Sequence, residues 1–280
     1  MTLTPTDVAP GVSMLPLRTP TVPPATHTNS YLVGTGELAW IEPASGFPEE
    51  LALGEAWIDA HLRAGKRLRA LLLTHHHPDH IGGAAAMRDR FGVEIWAHDR
   101  TAQRLEGKLK IDRLLEHGEQ IELDGPTPMT LEAIHTPGHA PGHLCYLEPV
   151  SGSMIAGDMV AGVGTIIVEK TDGDLQLYLD SLRAMAARYP TRLLPAHGPS
   201  IEDPQARLAF YIKHRLDREA QIVAQLGKEP KTLDQLVEVV YAATPKTQWV
   251  FARYALEAHL IKLAKEGRAT ELASGWTSNA

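Results

Sequence analysis

Residues 74–83 read Thr-His-His-His-Pro-Asp-His-Ile-Gly-Gly and follow directly on the apolar run Leu71-Leu72-Leu73. Neutral imidazole nitrogens and carboxylate oxygens are ligands for zinc and its neighbours. The spacing His-x-His-x-Asp-His gathers such groups at His75, His77, Asp79 and His80. A buried strand ending at Thr74 delivers them from a short turn, His75 and His77 on one side, Asp79 and His80 on another. That geometry can feed two adjacent metal ions, and His76 between them is expected to point away. As a solvated histidine-rich loop, the run would have no reason to lie between an apolar strand and a Gly82-Gly83 helix entry.

The same ending recurs down the chain. Met129–His135 and His143–Leu147 read as strands bracketing Thr136-Pro137-Gly138-His139. Met154–Asp158 reads as a strand that ends on a carboxylate, and Arg192–Pro199 as one that ends at His197. The candidate metal ligands are therefore His75, His77, Asp79, His80, His139, Asp158 and His197, enough for two ions and gathered along one edge of a sheet. Between these stations lie a hairpin over Asn29–Ile41, a helix over Pro48–Arg63, a strand over Leu68–Thr74, a helix over Ala84–Phe91 stopped by Gly92, and strands at 93–97 and 121–123. Asp174 is placed to cap a helix over Leu175–Arg188.

After Asp203 the β pattern stops. Pro204–Leu226 has the periodicity of one long helix, Leu233–Tyr241 and Val250–Glu266 of two shorter ones, and Arg268–Leu272 with Trp276 suggests a small hairpin. This is a winged-helix outline, and we divide the chain into 1–203 and 204–280. The division also separates charge. Residues 205–272 hold 11 Lys+Arg and 8 Asp+Glu, against 16 and 26 elsewhere, so a tail of +3 follows a ligand-bearing part of −10. An acidic body argues against a nucleic-acid coat or a membrane-surface protein. Met1–Pro24 shows no basic-then-apolar leader and the single Cys145 excludes an internal disulfide, which together suggest a cytoplasmic protein.

The residues Thr74–Gly83, His139, Asp158 and His197 resemble the motifs of the metallo-beta-lactamase superfamily. The resemblance implies an α+β fold, a four-layer αββα sandwich, with His75, His77 and His139 on one metal, Asp79, His80 and His197 on the other, and Asp158 bridging them. Two divalent ions are implied, zinc first, with manganese or iron as alternatives. The first motif departs, because Ile41-Glu42-Pro43 stands where the family usually has an aspartate and a glycine-containing turn. Asp158 in Ala-Gly-Asp sets the chain apart from zinc beta-lactamases, and His77 from redox diiron relatives. The basic glutathione-binding tail of glyoxalase II is not recognisable after His197. Over its whole length, including Phe210–Arg215 and Leu260–Gly267, the chain resembles the beta-lactamase-like protein two group, which joins the sandwich to a winged helix and includes an endoribonuclease and, in related branches, acyl-carrier-protein thioesterases.

Two cations that share a hydroxide supply a nucleophile at neutral pH without serine or cysteine. Asp79 would orient that hydroxide. His143 matches a histidine that relatives place beside the metals on the substrate side, where it could donate to an oxyanion; the alternative is a histidine packed behind the ligands. His135 could support a ligand from behind, and His27, His61, His98, His117, His214 and His259 read as surface or packing residues. The preferred reading is a hydrolase of a small ester, thioester or lactone. The alternative is a metal-dependent endoribonuclease acting on single-stranded RNA, in which Lys213, Arg215 and Arg218 contact phosphate; otherwise these three form a solvated face. No membrane partner is expected, and a homodimer is left open.

Overall fold

The computed structural model describes residues 4–279, so the readings that touch Met1–Leu3 and Ala280 lie partly outside the described residues. Two sheets face each other. The first runs β1 (Thr6–Ala9), β2 (Val12–Arg18), β3 (His27–Val33), β4 (Glu37–Ile41), β5 (Arg67–Leu72), β6 (Glu94–His98), β7 (Arg113–Leu115), with β4 to β7 parallel. The second is β8 (Gln120–Leu123), β9 (Met129–His135), β10 (Leu144–Glu148), β11 (Ser153–Gly157) and β12 (Arg192–Pro195), of which only β11 and β12 run parallel.

Alternation along the strands builds the layers. Tyr31, Val33, Ala39, Ile41, Ala70 and Leu72 point between the sheets, where they meet Leu131, Ala133, Leu144 and Tyr146. Their neighbours Leu32, Leu38, Trp40, Leu71 and Leu73 point outward, under α1 (Pro48–Arg63) and α3 (Ala84–Phe91), with the four-residue α2 (Pro78–Ile81) between the two in sequence. Behind the second sheet, Met154, Ala156 and Leu193 pack under α5 (Leu175–Ala187) and the start of α6 (Pro204–Gln225). The architecture is α+β, helix, sheet, sheet, helix, with both sheets sandwiched. Asp174 caps α5 by accepting from the amides of Gln176 and Leu177.

The sequence reading missed α2, α4 (Asp99–Arg104), the short β7, both strands of the N-terminal hairpin β1–β2 and the single 3-10 turn Lys246–Gln248. Pro16 hides β2 from a strand reading, but it lies past the last β1 pair, Thr6 with Met14, where β2 has a partner on one side only.

The tail is a winged helix: α6, α7 (Leu233–Val240), α8 (Trp249–Lys265) and the hairpin β13 (Ala269–Leu272) and β14 (Gly275–Ser278). Thr232 and Gln235 close a reciprocal capping box at the start of α7. Helix α6 serves two cores: Leu208 and Tyr211 are buried against the sandwich, Ile222 among the tail's Leu236, Leu256 and Trp276. The solvated-face reading of α6 fails at Arg215, which is 5% exposed, donates to the Ile166 carbonyl and lies over the Tyr178 ring.

Inside the tail, buried Glu219 faces Lys262 Nζ at 2.8 Å and Arg268 at 2.9 Å, with His259 3.9 Å away. Burial alone would raise its pKa; His259, Lys262 and Arg268 outweigh that and bring it down to about 2. A carboxylate depressed in the folded state stabilises above its unfolded pKa, and that stability goes as pH falls from about 4.4 toward the folded value. Thermal unfolding from pH 7 to 3 should show Tm falling below about pH 4.5. Glu219→Gln should start several degrees lower at pH 7 and fall less steeply in acid; parallel curves would refute the assignment.

Candidate metal centre

All seven expected ligands meet at one end of the sandwich, each carried past the end of a strand. After β5, the Thr74 carbonyl accepts from Leu144 N at 2.8 Å, which pins the histidine run to β10. Asp158 follows β11 through Gly157, whose φ of +48 and 2.5 Å approach to His143 Nε2 leave no room for a Cβ. His197 follows β12, where Asn29 Nδ2 donates to the carbonyls of Pro195 and Gly198.

Two clusters share one carboxylate. His75 Nε2, His77 Nδ1 and His139 Nε2 lie 2.9, 3.0 and 3.3 Å apart. On the other side, Asp79 Oδ2 is 3.7 Å from His80 Nε2 and 3.6 Å from His197 Nε2. Asp158 stands between, with Oδ2 3.6 Å from both His139 Nε2 and His80 Nε2, and Oδ1 3.3 Å from His197 Nε2.

The far nitrogen of each imidazole decides its tautomer. His139 Nδ1 donates to the Ile167 carbonyl at 2.8 Å, His197 Nδ1 to the His27 carbonyl at 2.9 Å, and His80 Nδ1 to Glu42. His77 is turned the other way, its Nε2 donating to Asp172 Oδ2 at 2.9 Å, and His75 Nδ1 meets Thr74 Oγ1 at 2.9 Å. The nitrogens left facing inward carry lone pairs, and lone pairs at 3 Å cannot bond one another. Buried His80 Nε2 and Asp158 Oδ1 have no hydrogen-bond partner among the described residues. Buried polar atoms are rarely left so, and a divalent cation satisfies this donor set.

The electrostatics divide the centre into a side of neutral imidazoles and a side where carboxylates favour positive charge. Burial, with His80, His77 and His139 nearby, holds His75 well below the ordinary histidine pKa, and burial brings His139 to about 4. These two are neutral, the form that ligates metal. Burial opposes charge on His80 too, but Glu42, Asp79 and Asp158 raise it well above the ordinary value. Asp158 is held well below the carboxylate range by His197 and His80 against the cost of its burial.

Glu42 takes the place of the family's aspartate. Fully buried and at φ +60, it accepts from His80 Nδ1 and, through Oε1, from Thr74 N at 2.9 Å. A left-handed non-glycine residue stores strain of about 1 kcal/mol or more, here at the bond that orients His80. Asp172, a residue the sequence reading passed over, accepts from His77 and faces His76 Nε2 at 3.2 Å and Arg104 at 3.1 Å. Its only sequence signal was the Thr-Asp-Gly-Asp turn before α5.

His143 does not reach the substrate side. It is fully buried, its Nε2 accepts from Asp158 N at 3.1 Å, and its Nδ1 meets Thr136 Oγ1 at 2.9 Å, so neither ring nitrogen is free for an oxyanion. His135 stacks on His98 at 4.0 Å and bonds the Pro141 carbonyl, away from the ligands. His77, Asp79, His139, Asp158 and His197 open onto a cavity of about 610 Å³ that reaches across to α6 and α8, with His214 in its wall.

Comparison with known proteins gives the same outline. Residues 23–197 match the Metallo-beta-lactamase superfamily and residues 232–276 the Beta-lactamase associated winged helix domain. A Beta-lactamase-like protein 2 homolog of Drosophila melanogaster is 31% identical over 256 residues, 86% of this chain and 83% of its own. An Atrochrysone carboxyl ACP thioesterase of Aspergillus chevalieri is 34% identical, over 78% of this chain and 69% of its own. A metallo-beta-lactamase family protein from Thermus thermophilus superposes with a TM-score of 0.78 at 23% identity, over 98% of this chain and all of that one. The chain belongs to the metallo-beta-lactamase superfamily and carries that superfamily's associated winged helix at its C-terminal end.

Proposed function

We propose that the protein is a dinuclear metal-dependent hydrolase of esters or thioesters. The observation that carries this reading is the convergence of inward-facing imidazole nitrogens on both sides of Asp158. His75, His77 and His139 would hold one divalent cation, Asp79, His80 and His197 the other, with Asp158 bridging; zinc suits the nitrogen-rich donors, and manganese or iron could replace it. When bound, the ions supply an activated water and positive charge against a developing oxyanion. Asp79, on the cavity side, orients the water and takes its proton. The water oxygen bonds the acyl carbon, the C–S or C–O bond breaks, and the thiol or alcohol leaves with that proton. His143 holds the Asp158 amide from behind, in place of the oxyanion contact expected of it. The thioesterase names of relatives at 30 to 34% identity favour a thioester.

Single-stranded RNA is the less favoured substrate. Lys213 pairs with Asp217 at 2.6 Å, Arg215 is buried, and Arg218 donates to the Val240 carbonyl and lies over Tyr241 at 4.2 Å. Phosphate contacts by such groups would first have to break these. We expect no RNA binding that steepens with falling salt; a slope of log affinity on log salt beyond about −3 would reverse the preference.

The direct test is an activity screen of metal-loaded protein against aryl esters, acyl thioesters, a lactone, a phosphodiester and single-stranded RNA, with Asp79→Ala as control. Elemental analysis should find about two metal equivalents, and chelation should abolish turnover; an active metal-free enzyme would sink the reading. Asp158→Ala should cost far more metal and activity than His76→Ala, and equal small effects would contradict the bridging assignment. Asp172→Asn, which keeps shape but loses the charge behind His77, should weaken metal affinity by roughly 10- to 100-fold. Unchanged competition against a chelator would show that Asp172 does not support the ligand.

A further inference from the structure

The cavity beside the ligands is larger than a small ester needs, and its far walls carry no reacting group. One wall is the segment around Pro24 and another the segment around Ile167; the rest comes from the tail, Tyr241 and the α8 residues Phe251, Tyr254 and Ala255. Pro24 and Gly164 approach so closely that a Cβ on Gly164 would lie 3.1 Å from the proline ring, which roofs the opening on the sandwich side. The charged groups of the wall each hold a contact, although Arg215 Nε has no hydrogen-bond partner among the described residues. Arg215 and Arg218 donate to backbone carbonyls and cover the Tyr178 and Tyr241 rings, and Glu169 accepts from Thr171. Val22 and Val163 stand 41% and 37% exposed at the rim, apolar surface that gains by being covered.

We infer that the winged helix is the acyl wall of the active site: the cleft between it and the ligands takes a medium-length, long or aromatic acyl group. The occupant follows from continuity, since the same cavity holds five of the ligands at one end and the α8 side chains at the other. A group whose carbonyl meets the ligands must extend toward α8. A volume of about 610 Å³ falls within the range of pockets that enclose a drug-sized ligand. An acetyl group would leave most of it in water. The inference rests on the hydrolase reading and narrows its substrate.

The test measures kcat/KM of the metal-loaded full chain on N-acetylcysteamine thioesters from acetyl to decanoyl, and calorimetric binding of decanoate against acetate. Ala255→Phe narrows the cleft, and Phe251→Ala removes part of its wall; thermal unfolding checks that each variant folds. We expect decanoyl to exceed acetyl by roughly a hundredfold in kcat/KM, with the gain mainly in KM, since burying each methylene favours the longer chain. Both variants should cut that ratio by about tenfold or more, and decanoate binding should weaken in parallel. Equal kcat/KM along the series, or a ratio that neither folded variant changes, overturns the inference while leaving the hydrolase reading intact. Tight decanoate binding lost in both variants, without turnover of any thioester or ester, supports the acyl cleft and removes the hydrolase reading.

Discussion

The site depends on the hydrogen bond behind each imidazole. Removing the Ile167 carbonyl from His139, or the His27 carbonyl from His197, would free the ring to turn and its tautomer to change. A free imidazole would relieve the crowding of lone pairs by protonating or rotating outward. One supporting acceptor is at the start of β3, for His197; the other, for His139, is in the segment before α5, where Arg215 bonds the neighbouring Ile166 carbonyl. The fold thus holds the metal centre ready before any metal arrives, which is the condition for tight binding.

The tail depends on the same end of the molecule. Helix α6 begins buried against the second sheet and ends in the tail's own core, so the winged helix cannot drift from the cleft without exposing Leu208 and Tyr211. Tyr211 adds a polar tie, its hydroxyl accepting from Ala161 N at 3.0 Å, three residues past the bridging aspartate. Arg215 adds another through Ile166. Arg215 thus ties the tail to the wall of the cavity that the candidate ligands share. The tail's excess of +3 left RNA open as the alternative; where the Arg215 and Arg218 guanidinium groups bond weighs against it.

Much of this was legible in sequence because strand ends and ligands coincide. Apolar runs that stop at His75, Asp158 and His197 mark both the sheets and the centre, and the helix periods of 48–63, 84–91 and 204–225 are strong enough to read alone. What stayed hidden depends on partners far along the chain. Pro16 obscured β2 because a proline is judged without knowing that β1 stops short of it. Asp172 is 95 residues from His77 and looks like any turn aspartate. The resemblance left His143 open between an oxyanion donor and a packed histidine, and only the approach of Gly157 and the Asp158 amide shows that its ring is already spent. Arg215 read as a surface charge because spacing along a helix does not reveal which side faces a neighbouring domain.

The carboxylates behind the ligands also have an electrostatic job. On the reading of two divalent cations, the centre would carry a formal charge of +4, which Asp79 and Asp158 halve. Glu42 stands behind His80 and Asp172 behind His77, one acid on each side of the bridging aspartate. With both ionised the centre approaches neutrality, and an approach to neutrality lowers the cost of placing such charge in a buried, partly apolar cavity. The same balance explains why strain is tolerated at Glu42: a carboxylate must reach His80 from β4, and the longer glutamate does so from a left-handed backbone where the family's usual aspartate is absent. On the two-cation reading the field of the centre would be short-ranged, confined to the end of the cavity where the ligands stand.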